Sequence, residues 1–174
     1  MQRKFLMIPT VLVLLAGIAS MNVSAQPAAE ATSTAMIRVF KEAAIDLYPG
    51  EYCYGSDSSA AIHASDGEYS IFSFNKREGM PLTEDTPSDY NEYVVEAGKP
   101  LAIRLQREAD KNGMRASCGP IGSTFFPQPG KYYDVTMAYA AGCFVRIREL
   151  YESMPGKTDA RPVPATISFA CTSR

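Results

Sequence analysis

Histidine is nearly absent from this chain: His63 is the only one, which excludes any site built on a histidine pair or cluster. The four cysteines include no C-x-x-C pair, so the usual zinc spacing is missing. No G-x-S-x-G turn presents a nucleophilic serine, and no alternating Asp/Asn array surrounds a glycine as calcium requires. Cations are not in excess: 17 Lys and Arg stand against 19 Asp and Glu, a net charge of −2. Nucleic acid calls for a basic stripe, and anionic lipid for a basic patch, so neither is an expected partner. No segment has the apolar period of a helix face. The chain is read as needing no metal and no cofactor, and as carrying no catalytic residue.

What is present begins with a leader. Arg3 and Lys4 form a positive start, residues 11–16 are the centre of an apolar run, and Val23-Ser24-Ala25 supplies small residues for cleavage after Ala25. Pro9 and Thr10 interrupt the run, which is then short for a span of about 20 residues. No cysteine lies near the cleavage position for a lipid, so no membrane anchor is expected after cleavage. Removing residues 1–25 takes away Arg3 and Lys4 and no acid, which moves the net charge from −2 to −4. Residues 26–35 are small and polar, a flexible lead-in. Residues 36–174 suit one domain with a real core.

Alternation of apolar and polar residues then marks short strands. Ile37 and Val39 flank Arg38, and residues 44–47 form a second strand before the Pro49-Gly50 turn. In 51–55, period two sets Tyr52 and Tyr54 opposite Cys53. Residues 61–64 and 68–75 read as a hairpin around Asp66-Gly67. Residues 76–92, broken by Gly79, Pro81 and Pro87, form the longest irregular segment, and such segments are often functional. Leu101, Ile103 and Leu105 point inward, and 107–113 reads as a hairpin loop ending in Asn112-Gly113. Residues 118–143 read as a hairpin turned by Pro127-Gln128-Pro129-Gly130, with Tyr133, Val135, Met137 and Tyr139 sharing one face. Cys143, Val145 and Ile147 share the core side, 152–161 is a polar loop, and the last strand turns Ala165, Ile167, Phe169 and Cys171 inward. About nine strands, punctuated by Gly, Pro and Asn, predict an all-β fold: a disulfide-stabilised antiparallel β-sandwich, Ig-like or transthyretin-like, with a small barrel as the alternative.

An even number of cysteines in an exported chain predicts two disulfides. Parity alone does not choose among three pairings. Easy closure of adjacent strands favours Cys118–Cys143, which leaves Cys53–Cys171.

Candidate chemistry is sparse. A Ser–His–acid triad would need His63 with Ser58 or Ser65 and with Asp66, but serines beside a histidine in a Ser-rich turn are ordinary loop composition. The acid pairs Glu84/Asp85 and Asp57/Asp66 read as solvated loop residues, since acids are mostly exposed. Arg104, Arg146 and Arg148 read as scattered outward cations. Tyr48, Tyr52 and Tyr54 are the candidate partner-binding residues, because an exposed tyrosine offers large area and a hydroxyl.

Four stretches, LYPGEYCYG (47–55), EYVVEAGKPLAIRL (92–105), FFPQPGKYYDV (125–135) with GCFVRIREL (142–150), and PVPATISFAC (162–171), together resemble a group of uncharacterised bacterial periplasmic and lipoprotein-like small β-sandwich proteins. The resemblance implies a sandwich and a periplasmic or secreted location, and it brings no catalytic or binding motif. The missing lipid-attachment cysteine implies a soluble form. The expected function is an exported non-enzymatic binding module whose partner is another periplasmic protein or a cell-wall component. The alternative is a periplasmic inhibitor or immunity-type protein against a cell-wall hydrolase or toxin.

Overall fold

A computed structural model describes residues 33–55, 59–67, 75–111 and 114–172. The leader, most of the 26–35 lead-in, the return strand at 68–74 and the Asn112-Gly113 turn lie outside them. The described residues form ten strands: β1 (Thr34–Phe40), β2 (Ala44–Pro49), β3 (Ile62–Asp66), β4 (Tyr90–Glu96), β5 (Leu101–Lys111), β6 (Met114–Phe125), β7 (Tyr132–Tyr139), β8 (Cys143–Met154), β9 (Lys157–Pro162) and β10 (Thr166–Ser168). They build two five-stranded sheets, ordered β4-β1-β7-β8-β9 and β10-β6-β5-β2-β3. Among the described residues each sheet is open, with β4 and β9 at the ends of the first and β10 and β3 at the ends of the second, so the protein is a β-sandwich and not a closed barrel. Every pair is antiparallel except β1 with β7, which run parallel.

The core forms where the inward residues of both sheets meet. Ile37, Val39, Val135 and Ile147 from the first sheet are buried with Ile45, Leu47, Ile103 and Leu105 from the second. These are mostly β-branched residues that suit a pleated, half-buried surface. Tyr133 and Met137 join them, whereas Tyr139, at the end of β7, is exposed.

The stretch from Cys118 to Cys143 is not a hairpin. β6 belongs to the second sheet and β7 to the first, so the Pro127–Gly130 turn carries the chain between layers. Pro127 and Pro129 have no N–H to give a partner strand. The groups that remain bond elsewhere. Pro127 C=O accepts from Gly98 N–H at 2.8 Å, Gly130 N–H donates to Thr34 C=O at 2.8 Å, and Met36 N–H donates to Lys131 C=O at 3.0 Å. Tyr133 closes the corner: its ring meets Phe125 edge-on at 5.1 Å, and its hydroxyl accepts Gln128 N–H at 2.9 Å. Cys118–Cys143 and Cys53–Cys171 are the two disulfides, and no described cysteine is free. The first therefore joins the two layers and does not staple neighbouring strands. Two intramolecular disulfides suggest an oxidising, extracellular compartment.

Other segments depart from the sequence reading in the same local way. Residues 107–111 continue β5, paired through Lys111↔Met114. Residues 51–55 form no strand beyond one bridge, Tyr54↔Ala170. The supposed polar loop at 152–161 is a hairpin: β8 runs to Met154 and β9 returns from Lys157. Gly156 supplies the positive φ of 77° that the turn needs, and its N–H donates to Glu152 Oε1 at 2.9 Å. β9 is an edge strand, so its polar side chains find water or surface ion pairs and no apolar face is required.

Candidate functional site

The outer face of the first sheet carries a row of charges. In register across four adjacent strands stand Glu92 on β4, Arg38 on β1, Asp134 on β7 and Arg148 on β8. Arg38 is the centre, with 0% exposure. Its Nε and Nη2 donate to Glu92 Oε1 at 3.3 and 2.9 Å, and Nη1 donates to Asp134 Oδ1 at 3.3 Å. Arg148 Nη2 donates to Asp134 Oδ2 at 3.2 Å, and Nη1 to Asp85 Oδ2 at 3.1 Å. Opposite charges alternate along the row, so each carboxylate lies next to a guanidinium. That is how a buried charge is tolerated.

Residues 75–89 form a strap over this row. Glu92 Oε2 accepts three successive backbone N–H groups, from Glu78 at 2.6 Å, Gly79 at 2.8 Å and Met80 at 3.3 Å. Arg38 Nη2 donates to the carbonyls of Met80 at 3.2 Å and Pro81 at 2.9 Å. Arg77 lies over the Tyr90 ring at 3.2 Å, and Met80 is buried. The irregular segment expected as a contact loop is therefore pinned through a carboxylate and a guanidinium. Burial disfavours ionisation of Glu92, but the strap's N–H donors and Arg38 outweigh it and hold the carboxyl below its ordinary value. Burial pushes Asp134 up against the pull of Arg38 and Arg148. Between the strap and the β8–β9 hairpin lies a cleft of ≈ 680 Å³ floored by Tyr132 and Leu150 and walled by Pro81 and Tyr151.

The second sheet carries its own outer row: His63 on β3, Asp46 on β2, Arg104 on β5, Gly122 on β6 and Ser168 on β10. His63 Nδ1 lies 2.6 Å from Asp46 Oδ1, and Nε2 lies 2.6 Å from Asp66 Oδ1. Arg104 Nη1 donates to Asp46 Oδ2 at 2.9 Å. Carboxylates only accept, so both ring nitrogens must donate, which is the imidazolium form. Neither nitrogen is left for Ser65, whose Oγ accepts Gly67 N–H at 3.1 Å. The triad through Ser65 is thus not assembled; Ser58 and Asp57 lie outside the described residues. Hydrogen bonds to Asp66 and then Asp46 raise the His63 pKa above its ordinary 6.5, against a smaller lowering by burial. The stabilisation from this contact is complete below pH 6.5 and is lost as pH rises through the raised value. An NMR titration of the His63 ring should give a midpoint above 6.5, and Asp66→Asn should lower it. A wild-type midpoint at or below 6.5 would contradict the paired geometry.

The three tyrosines separate. Tyr48 is buried in β2 and withdrawn from partner contact. Tyr52 is 66% exposed and meets Phe126 edge-on at 6.0 Å. Tyr54 crosses β6 at Gly122, where an added Cβ would meet Tyr54 Cδ1 and Ser168 Oγ at 2.6 Å each. Glycine is required there by close approach. Beside Tyr54 runs an apolar groove of ≈ 300 Å³, lined by Ile121, Phe144, Val145, Ile167 and Phe169. The expected inward residues Ile167 and Phe169 are instead 77% and 74% exposed. Ile167 pairs with Ser123, and so shares a side with buried Phe125, but among the described residues no strand of the first sheet covers it.

The remaining candidates are placed as follows. Glu84 is exposed. Asp85 binds Thr83 and Arg148, and the Thr83 hydroxyl followed by Arg148 lowers its pKa. Arg146 is exposed on β8. Among the described residues no three His, Cys, Asp or Glu side chains are grouped to hold a metal. Sequence reasoning missed Arg38, Glu92 and Asp134, and it missed the groove. The available signal was a charge at the middle of an apolar strand, as in Ile37-Arg38-Val39. Neither a family model, nor a curated protein, nor a solved structure matches the chain.

Proposed function

We propose that the protein is an exported, non-enzymatic binding module of the bacterial periplasm, freed by cleavage after Ala25. The observation that carries this reading is the apolar surface left out of the core: Ile167, Phe169 and Phe144 are exposed along one groove, and Tyr52 and Phe126 form a second exposed pair. Contiguous exposed apolar surface on a folded domain marks an interaction site. Both disulfides bracket the groove, since Cys143 lines it and Cys171 closely follows Phe169. The surface is therefore preorganised, which lowers the entropic cost of binding. The same rigidity favours a second reading, a periplasmic inhibitor of a cell-wall hydrolase or toxin, because such inhibitors dock as rigid bodies.

Photo-crosslinking in the native periplasm tests both. A benzoylphenylalanine placed at Phe169 or Tyr52 should give a discrete protein adduct, and the same probe at Thr83 on the strap should not. Adducts from Thr83 alone, or turnover of a cell-wall substrate by the purified protein, would sink the proposal. An adduct with a lytic enzyme, together with stoichiometric loss of its activity, would select the inhibitor reading.

A further inference from the structure

β9 pairs with β8 only as far as Val163, whose N–H donates to Ile147 C=O at 3.0 Å. Pro164 then has no N–H, and the chain crosses to the second sheet as β10. Alternation along an antiparallel strand sends the backbone groups of Val145 and Cys143 toward the same side as those of Ile147. The opposite neighbour agrees. Met137 faces Val145 across β7–β8, yet Met137 N–H donates to Glu42 Oε1 at 2.7 Å, away from β8. Met137↔Val145 is therefore a non-hydrogen-bonded pair, and the N–H and C=O of Val145 open onto a sheet edge that no described strand occupies. Beneath that edge lies the apolar groove. Ser168, 5% exposed, lines it, and its Oγ is buried without a hydrogen-bond partner among the described residues. A buried hydroxyl left unpaired costs about 1–3 kcal/mol, so the wall of the groove at Ser168 is not a fully satisfied packed surface.

We propose that the edge at Cys143–Val145 takes an extended segment of a partner polypeptide as an added strand. This rests on the binding-module reading and specifies its site and partner chemistry. Main-chain bonds to Val145 give affinity, and alternate side chains give specificity. The groove side carries no charged lining residue, so a charge placed there would lose its hydration unpaired; those positions of the segment are apolar. Arg146, which shares with Phe144 the face of β8 turned away from the core, is exposed and has no ion-pair partner among the described residues. The outward positions of the segment are therefore acidic. Natural edges are usually blocked by inward charges or by prolines; here the prolines of the own chain vacate the edge and nothing inward-facing is charged.

The probe is a capped heptapeptide alternating valine and glutamate, set against one alternating valine and lysine. The glutamate peptide should bind at least tenfold more tightly and slow hydrogen exchange at the Val145 amide. Arg146→Glu should reverse the preference between the two peptides. Ile167→Asp and Phe169→Asp, both at exposed positions, should weaken binding about tenfold with the fold intact. N-methylation of edge-facing residues of the peptide should abolish binding, and methylation of the alternate residues should be tolerated. If both methylated forms bind alike, strand addition is overturned while recognition by the groove stands. Absence of binding by either peptide overturns the strand site, whatever the crosslinking result. A self-associated dimer that protects Val145 would put a second copy in the edge, and also overturns the proposal.

Discussion

Arg38→Met should cost about 3–5 kcal/mol of folding stability, the range for removing one partner of a buried ion pair. The guanidinium makes five hydrogen bonds, to Glu92, to Asp134 and to two strap carbonyls. Its loss leaves Asp134 with Arg148 alone and strips the Met80 and Pro81 carbonyls of their donor. The strap should loosen as well as the sheet. Trypsin should then cut after Arg77, which the wild type holds against Tyr90. Arg148→Met should cost much less, because its second acid, Asp85, is largely exposed and exposed pairs contribute about 0–1 kcal/mol. Urea unfolding midpoints measure both. A loss under about 1 kcal/mol for Arg38→Met would mean that packing, and not the ion row, holds the strap. Acid should mimic the substitution. Glu92 is held below its ordinary value near 4.5, so its contribution is present above that pH and disappears as pH falls through the lowered value. Strap exchange rates should rise there before global unfolding.

The second large effect concerns the disulfides. Chain-entropy reasoning assigns about 5 kcal/mol to a bridge of the Cys53–Cys171 span and about 3.5 kcal/mol to one of the Cys118–Cys143 span; their separations are 118 and 25 residues. Either loss is a large share of a typical domain's 5–15 kcal/mol. Replacing both members of each pair by alanine, followed by denaturant unfolding, gives the two values separately. The larger loss should follow removal of Cys53–Cys171, and the groove should be the first region to lose protection, because Phe169 and Tyr54 flank that bridge. If removing Cys118–Cys143 proves the costlier change, then linking the two layers matters more than the length of loop closed.

What was legible in the sequence follows from what alternation encodes. Period two reports which residues share a side, and it reports this well for Leu101, Ile103 and Leu105 or for Tyr133, Val135 and Met137, where the side is core. It is silent on what covers the other side. Arg38 and Asp134 alternate like solvated residues, yet a strap from residues 75–89 lies over them, and that contact depends on two residues far apart in the chain. Parity grouped Ile167 with Phe169 on the core side; both line the same groove and are exposed, because whether a second layer reaches that edge depends on where β9 ends. Pro127-Gln128-Pro129-Gly130 signals a reversal of direction, and a reversal within one sheet reads the same as a jump between two. The cysteine pairings were legible because closure needs only proximity, which a layer jump preserves as well as a hairpin does.

β1 lies between β4 and β7 and runs parallel to the latter. The first of the described strands to emerge in the order of synthesis is thus an interior strand of its sheet, and one of its flanks is filled only when residues 132–135 arrive. Until then it is an unclosed template bordered by apolar side chains. Topology of this kind has high contact order and folds slowly. Most of the chain must be assembled before β1 is shielded on both flanks, so chains arrested before Tyr132 are the species most exposed to misassembly and to quality-control proteases.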